Sequence, residues 1–217
     1  MAQMRKAIDS KRRSPVRDGS RETVEAIFEA TARILQGKGR DGLNTNHIAE
    51  IAGVSIGALY GYFPNKESIL LEMARRELDL VQSRVATALT TTGEPGVDPV
   101  RRAIRALVKG YGTRSRARRI LMETLFSLGG SEDMARPVSE IAELLARNAG
   151  GILPAGSSLP SPIGMFVLTR AVDSVIRAAT YEGVAFIGSA EFEDELVRLV
   201  SGYFAWPAGA TATAVGR

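Results

Sequence analysis

An all-α protein is expected from three observations. Apolar residues recur at helical spacing in segment after segment, residues that cap or break helices stand between those segments, and no alternating strand pattern survives for more than a few residues. The 217 residues, 45% apolar and 24% charged, suffice for one or two globular domains with a sizeable core and exclude disorder over the whole length.

From Val24 the positions Val24, Ile27, Phe28, Thr31, Ile34 and Leu35 keep the i, i+3, i+4, i+7 spacing of one helix face. Ser20 stands where a cap belongs, with Glu22 and Glu25 in the first turn, where the helix dipole favours acid. Gly37-Lys38-Gly39 ends this helix. A short one follows, capped by Asn44 or Thr45, with Ile48, Ala49 and Ala52 inward and Gly53 as its stop. Ser55 caps Ile56 to Tyr62, and Asn65 caps a long helix from Lys66 towards Thr91. After a turn at Thr90 to Gly96, Asp98-Pro99 opens another helix with a capping side chain and proline at the first helical position. Further periodic segments cover Arg116 to Leu128, Glu132 to Asn148, Pro162 to Glu182 and Glu191 to Trp206, and the small residues at 207–217 predict a frayed tail.

Composition removes several classes of function. Without cysteine there is no disulfide framework, no thiolate nucleophile and no thiolate metal site, and a cytoplasmic location is expected. A single histidine, His47, cannot build a multi-histidine zinc site, so neither metal nor cofactor is expected, and no polar constellation marks an enzyme. The uncharged stretch Asn148 to Thr169 is 22 residues long but is broken by Pro154, Pro160, Pro162 and four glycines, and Val200 to Gly216 is shorter. With no apolar signal core at the N-terminus, a soluble protein without a membrane partner is expected.

The formal charge of +4 is unevenly placed. Residues 1–76 hold 13 Lys and Arg against 9 Asp and Glu, while residues 77–217 hold 15 of each. Within residues 1–21 seven basic groups (Arg5, Lys6, Lys11, Arg12, Arg13, Arg17, Arg21) face only Asp9 and Asp18. Taken alone, such an arm over 1–19 is equally a solvated leader; ahead of a DNA-binding domain it tracks phosphates or a minor groove.

Three features have ordinary structural explanations. Gly37-Lys38-Gly39-Arg40-Asp41-Gly42 spells G-x-G-x-x-G, but a helix rather than a strand precedes it, which makes it a helix end plus turn. His47 has no second histidine or cysteine to join it and reads as a surface or DNA-facing residue. The cluster Arg114, Arg116, Arg118, Arg119 reads as a solvated helix face.

The informative segment runs from Asn44 to Leu71. A helix, a three-residue turn at Gly53-Val54-Ser55 and a second short helix with Leu59 and Phe63 inward make a helix-turn-helix. Gly53 frees the turn for a left-handed residue, Val54 fills the angle between the helices, and the amide end after Ser55 faces outward. Thr45, Ile48-Ala49, Ala52-Gly53-Val54-Ser55, Gly57, Leu59-Tyr60, Tyr62-Phe63 and Lys66-Glu67 resemble the DNA-binding domain of the tetracycline-repressor (TetR) family over residues 20–71.

The resemblance implies a DNA-binding domain at 20–67 and a helical effector-binding and dimerisation domain at 68–206. It implies a ligand-responsive repressor acting as a homodimer on palindromic double-stranded DNA, released by a small, largely apolar effector. On this reading Ile56, Gly57 and Ala58 lie nearest the bases, Asn46 is a further base contact, and Thr45, Ser55, Tyr60, Tyr62 and Lys66 hold phosphates. Apolar Ile56 and bare Gly61 depart from many relatives, leaving more of the readout to thymine methyls, DNA shape and the arm.

In the family the last two helices pack with a second subunit. Here Phe192, Leu196, Leu199, Val200 and Tyr203 form one apolar stripe, and Pro162 to Glu182 is apolar on two faces (Met165, Leu168, Val172, Ile176; and Phe166, Val167, Ala171, Val175), as a helix with two partners needs. A helix buried within its own domain is the competing explanation. Tyr111, Met122, Phe126, Met134 and Phe166 are the expected effector lining, although such a stripe is also ordinary core. An architectural DNA binder without an effector pocket is the functional alternative.

Overall fold

A computed structural model describes residues 18–91, 98–111, 115–148 and 160–205, apart from the side chains of Asp18, Ser131 and Met134. The expected arm and tail lie outside those residues, except for Asp18 and Gly19. Among the described residues there are nine helices and no strand: α1 Asp18–Lys38, α2 Thr45–Ala52, α3 Ile56–Tyr62, α4 Lys66–Thr90, α5 Pro99–Tyr111, α6 Arg116–Leu128, α7 Ser131–Arg147, α8 Pro162–Glu182 and α9 Ala190–Ala205. None of these helices is long and apolar enough to cross a membrane.

The described residues of Met1–Leu78 and Thr113–Met134 form one compact unit, and those of Asp79–Gly112 and Ala135–Arg217 form another. In the first, the whole expected face of α1 is buried: Val24, Ile27, Phe28, Thr31, Ile34 and Leu35. Ile48 and Ala49 of α2, Leu59 of α3, Phe63, and Ile69 and Leu70 of α4 complete that core, with the rings of Phe28 and Phe63 5.6 Å apart. Each large apolar side chain removed from water contributes about 1.5–3 kcal/mol. The one buried hydroxyl of the α1 stripe, Thr31, donates to the Ile27 carbonyl at 2.7 Å, which removes the cost of burying it.

The expected helix ends hold with one correction. Asn44 accepts from the backbone N–H of His47, Ser55 from Ala58 and Asn65 from Ser68, while Asp98 accepts from Val100. Gly39, at φ 73°, donates to the Ile34 and Leu35 carbonyls, so the glycine string is a helix end. Ser20, however, is not a cap: α1 starts at Asp18, and the Ser20 hydroxyl lies inside the first turn, 3.0 Å from the hydroxyl of Tyr62. A partner 42 residues away, which no local pattern displays, engages that side chain.

Helix α6 packs on α1. The Gln36 side-chain oxygen accepts from the Ser115 hydroxyl and the Ala117 N–H, both at 3.3 Å, and Arg116 donates to the Gly37 carbonyl at 3.3 Å. Arg118 pairs with Glu77 at 2.8 Å, and Arg75 makes two bonds to Asp133 at 2.8 and 3.1 Å. The arginine cluster expected to be solvated is therefore partly structural; Arg119, 59% exposed in its side chain beside Glu123, keeps the expected role.

In the second unit α5 packs against α8 and α9, and those two against each other. Val100, Ala103, Ile104 and Val108 meet Met165, Leu168, Val172 and Ile176 of α8 and Phe192, Leu196 and Val200 of α9 in the buried core. Gly110 allows α5 to approach α4, since a Cβ there would stand 2.6 Å from both methyls of Val81. Arg105 makes bonds of 2.9 and 2.7 Å to Glu193, and Arg101 adds Glu193 and Asp194. The hydrogen bond from Arg105 holds the Glu193 carboxyl below its ordinary value, while Asp194 first raises Arg101 and Glu193 raises Arg105.

Candidate nucleic-acid interface

The helix-turn-helix is assembled from local rules. Gly53 adopts φ 67°, ψ 28° and sends its N–H to the Glu50 carbonyl, which closes α2 and turns the chain in a conformation that costs other residues dearly. Leu59 at 0% exposure and Phe63 at 1% anchor α3, so its opposite side faces solvent. On that side Ile56 is 39% exposed and Tyr60 42%, and Gly57 and Ser55 are exposed, while Ala58 is half-buried. A Cβ on Gly57 would meet nothing within 4 Å, so the bareness of this stretch answers no packing need within the described residues.

Around α3 the remaining expected contacts form a rim. The Tyr60 hydroxyl lies 3.0 Å from that of Thr45, which ties the end of α3 to the start of α2. Asn46 is exposed beside Thr45. Tyr62 is half-buried and its hydroxyl meets Ser20, bringing the first turn of α1 to the same rim. Lys66 is half-buried, and its ammonium donates to the Leu43 carbonyl at 3.0 Å, leaving two of its three donors for other partners. His47 sits between Lys38 Nζ (3.4 Å from Nε2) and Glu50 Oε2 (3.5 Å from Nδ1). All nine residues expected to touch DNA thus belong to one unit and to one stretch of it, and Ser20 joins them without having been expected.

The five residues expected to line an effector pocket fall in both compact units. Met122 (2% exposed) and the half-buried Phe126 belong to the first unit, Tyr111 and Phe166 to the second, and the side chain of Met134 lies outside the described residues. Phe166, 61% exposed, borders a groove of about 340 Å³ between α7 and α8. Tyr111 is buried against Asp173. Burial pushes the Asp173 carboxyl above its ordinary value, with Arg177 opposing, and burial and then the Asp173 charge raise the Tyr111 phenol. Arg170, Asp173 and Arg177 of α8 are functional candidates that the sequence pattern did not bring forward, although their spacing on one stripe of a largely apolar helix was a visible signal.

Residues 27–73 match the family model of bacterial regulatory proteins of the tetR family. Over 78 residues the chain is 31% identical to the HTH-type transcriptional repressor KstR of Mycolicibacterium smegmatis, covering 36% of this chain and 38% of that one. The match thus spans little more than a third of that relative's length. Two solved structures share the fold along most of the chain. One, a Mesorhizobium loti MAFF303099 protein assigned to the TetR family, has a TM-score of 0.60 at 19% identity, covering 87% of this chain and 98% of that one. The other, a TetR-family transcriptional regulator from Streptomyces coelicolor, has a TM-score of 0.51 at 24% identity, covering 84% and 98%. The helix-turn-helix residues and the family model agree over residues 27–73, which are similar to the DNA-binding region of bacterial regulatory proteins of the tetR family, and the fold along most of the chain is the one those two solved structures share.

Proposed function

We propose that the protein is a cytoplasmic one-component repressor that binds a palindromic DNA operator as a homodimer and releases it on binding a small, largely apolar effector. Residues 20–67 read the DNA, and residues 68–206 carry the effector and the second subunit. The observation that carries the reading is the outward side of α3: Ile56, Gly57 and Ala58 present a surface small enough to approach base edges, framed by the hydroxyls of Ser55, Thr45, Tyr60 and Tyr62 and by Lys66. Asn46 reaches the same groove from α2.

Dimerisation is supported by the second face of α8. Ile163 (77% exposed), Phe166, Val167 and Val175, with Leu199 of α9, form an apolar surface that the described residues of the chain leave uncovered. Sedimentation of the full chain at micromolar concentration should give a dimer, and Val167→Glu a monomer.

Selection of bound fragments from a genomic library, followed by footprinting, tests the whole reading. A protected palindrome with half-sites about 34–36 Å apart, or a multiple of that, is expected for a two-fold dimer. Equal affinity for all sequences would replace the repressor by an architectural DNA binder.

A further inference from the structure

Helix α8 carries Phe166, Arg170, Asp173 and Arg177 at i, i+4, i+7 and i+11, one stripe along its length. The stripe runs between the buried face of Leu168, Val172 and Ile176 and the exposed apolar face of Ile163 and Val167. Its charges do not balance. Arg177 pairs with Asp173 at 3.5 Å, and the Asp173 side chain is only 15% exposed. Arg170, half-buried, has its guanidinium carbon 5.3 Å from the centre of the Phe166 ring and makes a long 3.5 Å bond to the Ala135 carbonyl; among the described residues no carboxylate lies within ion-pair distance of it. Asp173 pairs with Arg177, and Arg170 acts on that carboxylate only through its charge at longer range.

The uncompensated cation lines the 340 Å³ groove, whose volume falls within the range of small-molecule sites. The walls are apolar over most of their length, with Val138, Ala142 and Ala146 from α7 facing Pro162, Met165 and Phe166 from α8. The bond from Arg170 to Ala135 puts the charge at the end where α7 begins, and the prolines stand at the other. Glu143, the groove's one acid, is paired with Arg147 at 3.3 Å.

We infer that this groove binds a small amphipathic carboxylate, with its anionic head on the Arg170 guanidinium and its apolar body between α7 and α8. A planar guanidinium matches a carboxylate through two parallel hydrogen bonds. One surplus positive charge neutralises a monoanion and leaves a phosphate dianion half-compensated. A cationic ligand meets Arg170 head-on. This deepens the reading of the protein as an effector-responsive regulator and rests on it for the consequence of occupancy, while binding itself is measured without DNA.

The test is calorimetric titration of the full-length protein with octanoate, octan-1-ol and octylammonium, three probes with one apolar body and different heads. A charge-assisted hydrogen bond strengthens binding by about tenfold or more, so octanoate should bind at least about tenfold tighter than octanol, and octylammonium weakest. Arg170→Gln should bring octanoate to the level of octanol without changing the latter. Ala142→Phe, which fills the groove and keeps the charge, should abolish both, with thermal unfolding confirming that each variant is folded. Equal affinity of octanoate and octanol, no binding of either because a second copy of the chain fills the groove, or octanoate binding indifferent to both substitutions would overturn the inference. Operator binding without octanoate binding sinks the inference alone; Arg170-dependent octanoate binding by a protein that selects no operator sinks the functional reading alone.

Discussion

The ammonium of Lys66 donates a 3.0 Å hydrogen bond to the carbonyl of Leu43, joining the first turn of α4 to the residue just before the cap of α2. The same side chain is thus a staple of the helix-turn-helix, and under the proposed function its two remaining donors would hold phosphate. Lys66→Ala should lower affinity for operator and random DNA alike, reduce the slope of log K against log salt by about one per subunit, and cost about 1.5–3 kcal/mol of stability. Titrations at several salt concentrations, with urea unfolding beside them, measure both effects; a selective loss of operator binding would contradict the assignment.

Ala58 should behave differently. A bulky Leu at this position obstructs the approach of α3 to base edges while leaving the charges that govern non-specific binding in place. Ala58→Leu should therefore lose operator affinity and keep weak, salt-sensitive binding to random DNA. Unchanged operator affinity in a variant with native circular dichroism would remove α3 from the groove.

Deleting residues 2–18 removes six of the seven basic groups of the N-terminal arm. Binding to every DNA sequence should weaken, with the salt slope falling by about 0.9 for each phosphate that the arm no longer neutralises. An identical slope in the truncated protein would make the arm a solvated leader.

Two carboxyls should shape the pH dependence of stability in opposite ways. Glu193, lowered by its bond from Arg105, adds stability above its unfolded value and loses it as pH falls through the folded one. Asp173, raised by burial, opposes folding once pH rises past its unfolded value, and the penalty vanishes as acid protonates it. Glu193→Gln should cost about 1 kcal/mol at pH 7 and progressively less in acid, whereas Asp173→Asn should be no less stable than wild type at pH 7. Urea unfolding across the acid range checks the signs; curves parallel to wild type for both variants would refute them.

Gly110→Ala sets a packing cost against a helix-propensity gain. The new methyl would stand 2.6 Å from both Val81 methyls, and Val81 is itself 2% exposed. Overpacking costs about 1–3 kcal/mol and alanine returns up to about 1, so a net loss is expected. Val81→Ala in the same chain should restore part of it, as a thermal unfolding series would show.

The helices were legible because their signals are local. Periodic apolar residues, capping side chains at Asn44, Ser55, Asn65 and Asp98, and Gly53 each act within a few residues of where they stand. What the sequence hid was pairing at a distance. Ser20 met Tyr62 rather than capping its own helix, Arg118 met Glu77 rather than water, and Lys66 found Leu43. The aromatic and methionine residues expected around an effector divided between two compact units, because apolar side chains alone do not reveal which core they join. The ionised stripe of α8 was written plainly in the sequence, but only the pairing of Asp173 with Arg177 shows that Arg170 is the charge left over.

Helix α3 has a weakness written into its own residues. Gly57 and Gly61 together disfavour it by about 2 kcal/mol relative to alanine, and seven residues are too few for a helix to persist alone. Leu59 in the core, the Ser55 cap and the contact of Tyr60 with Thr45 supply its order from outside. A segment held this way opens at a lower free energy than the domain beneath it, so its amide hydrogens exchange with solvent while α1 stays protected. Moderate heat then blunts the outward surface of α3 at temperatures where the fold itself is still intact.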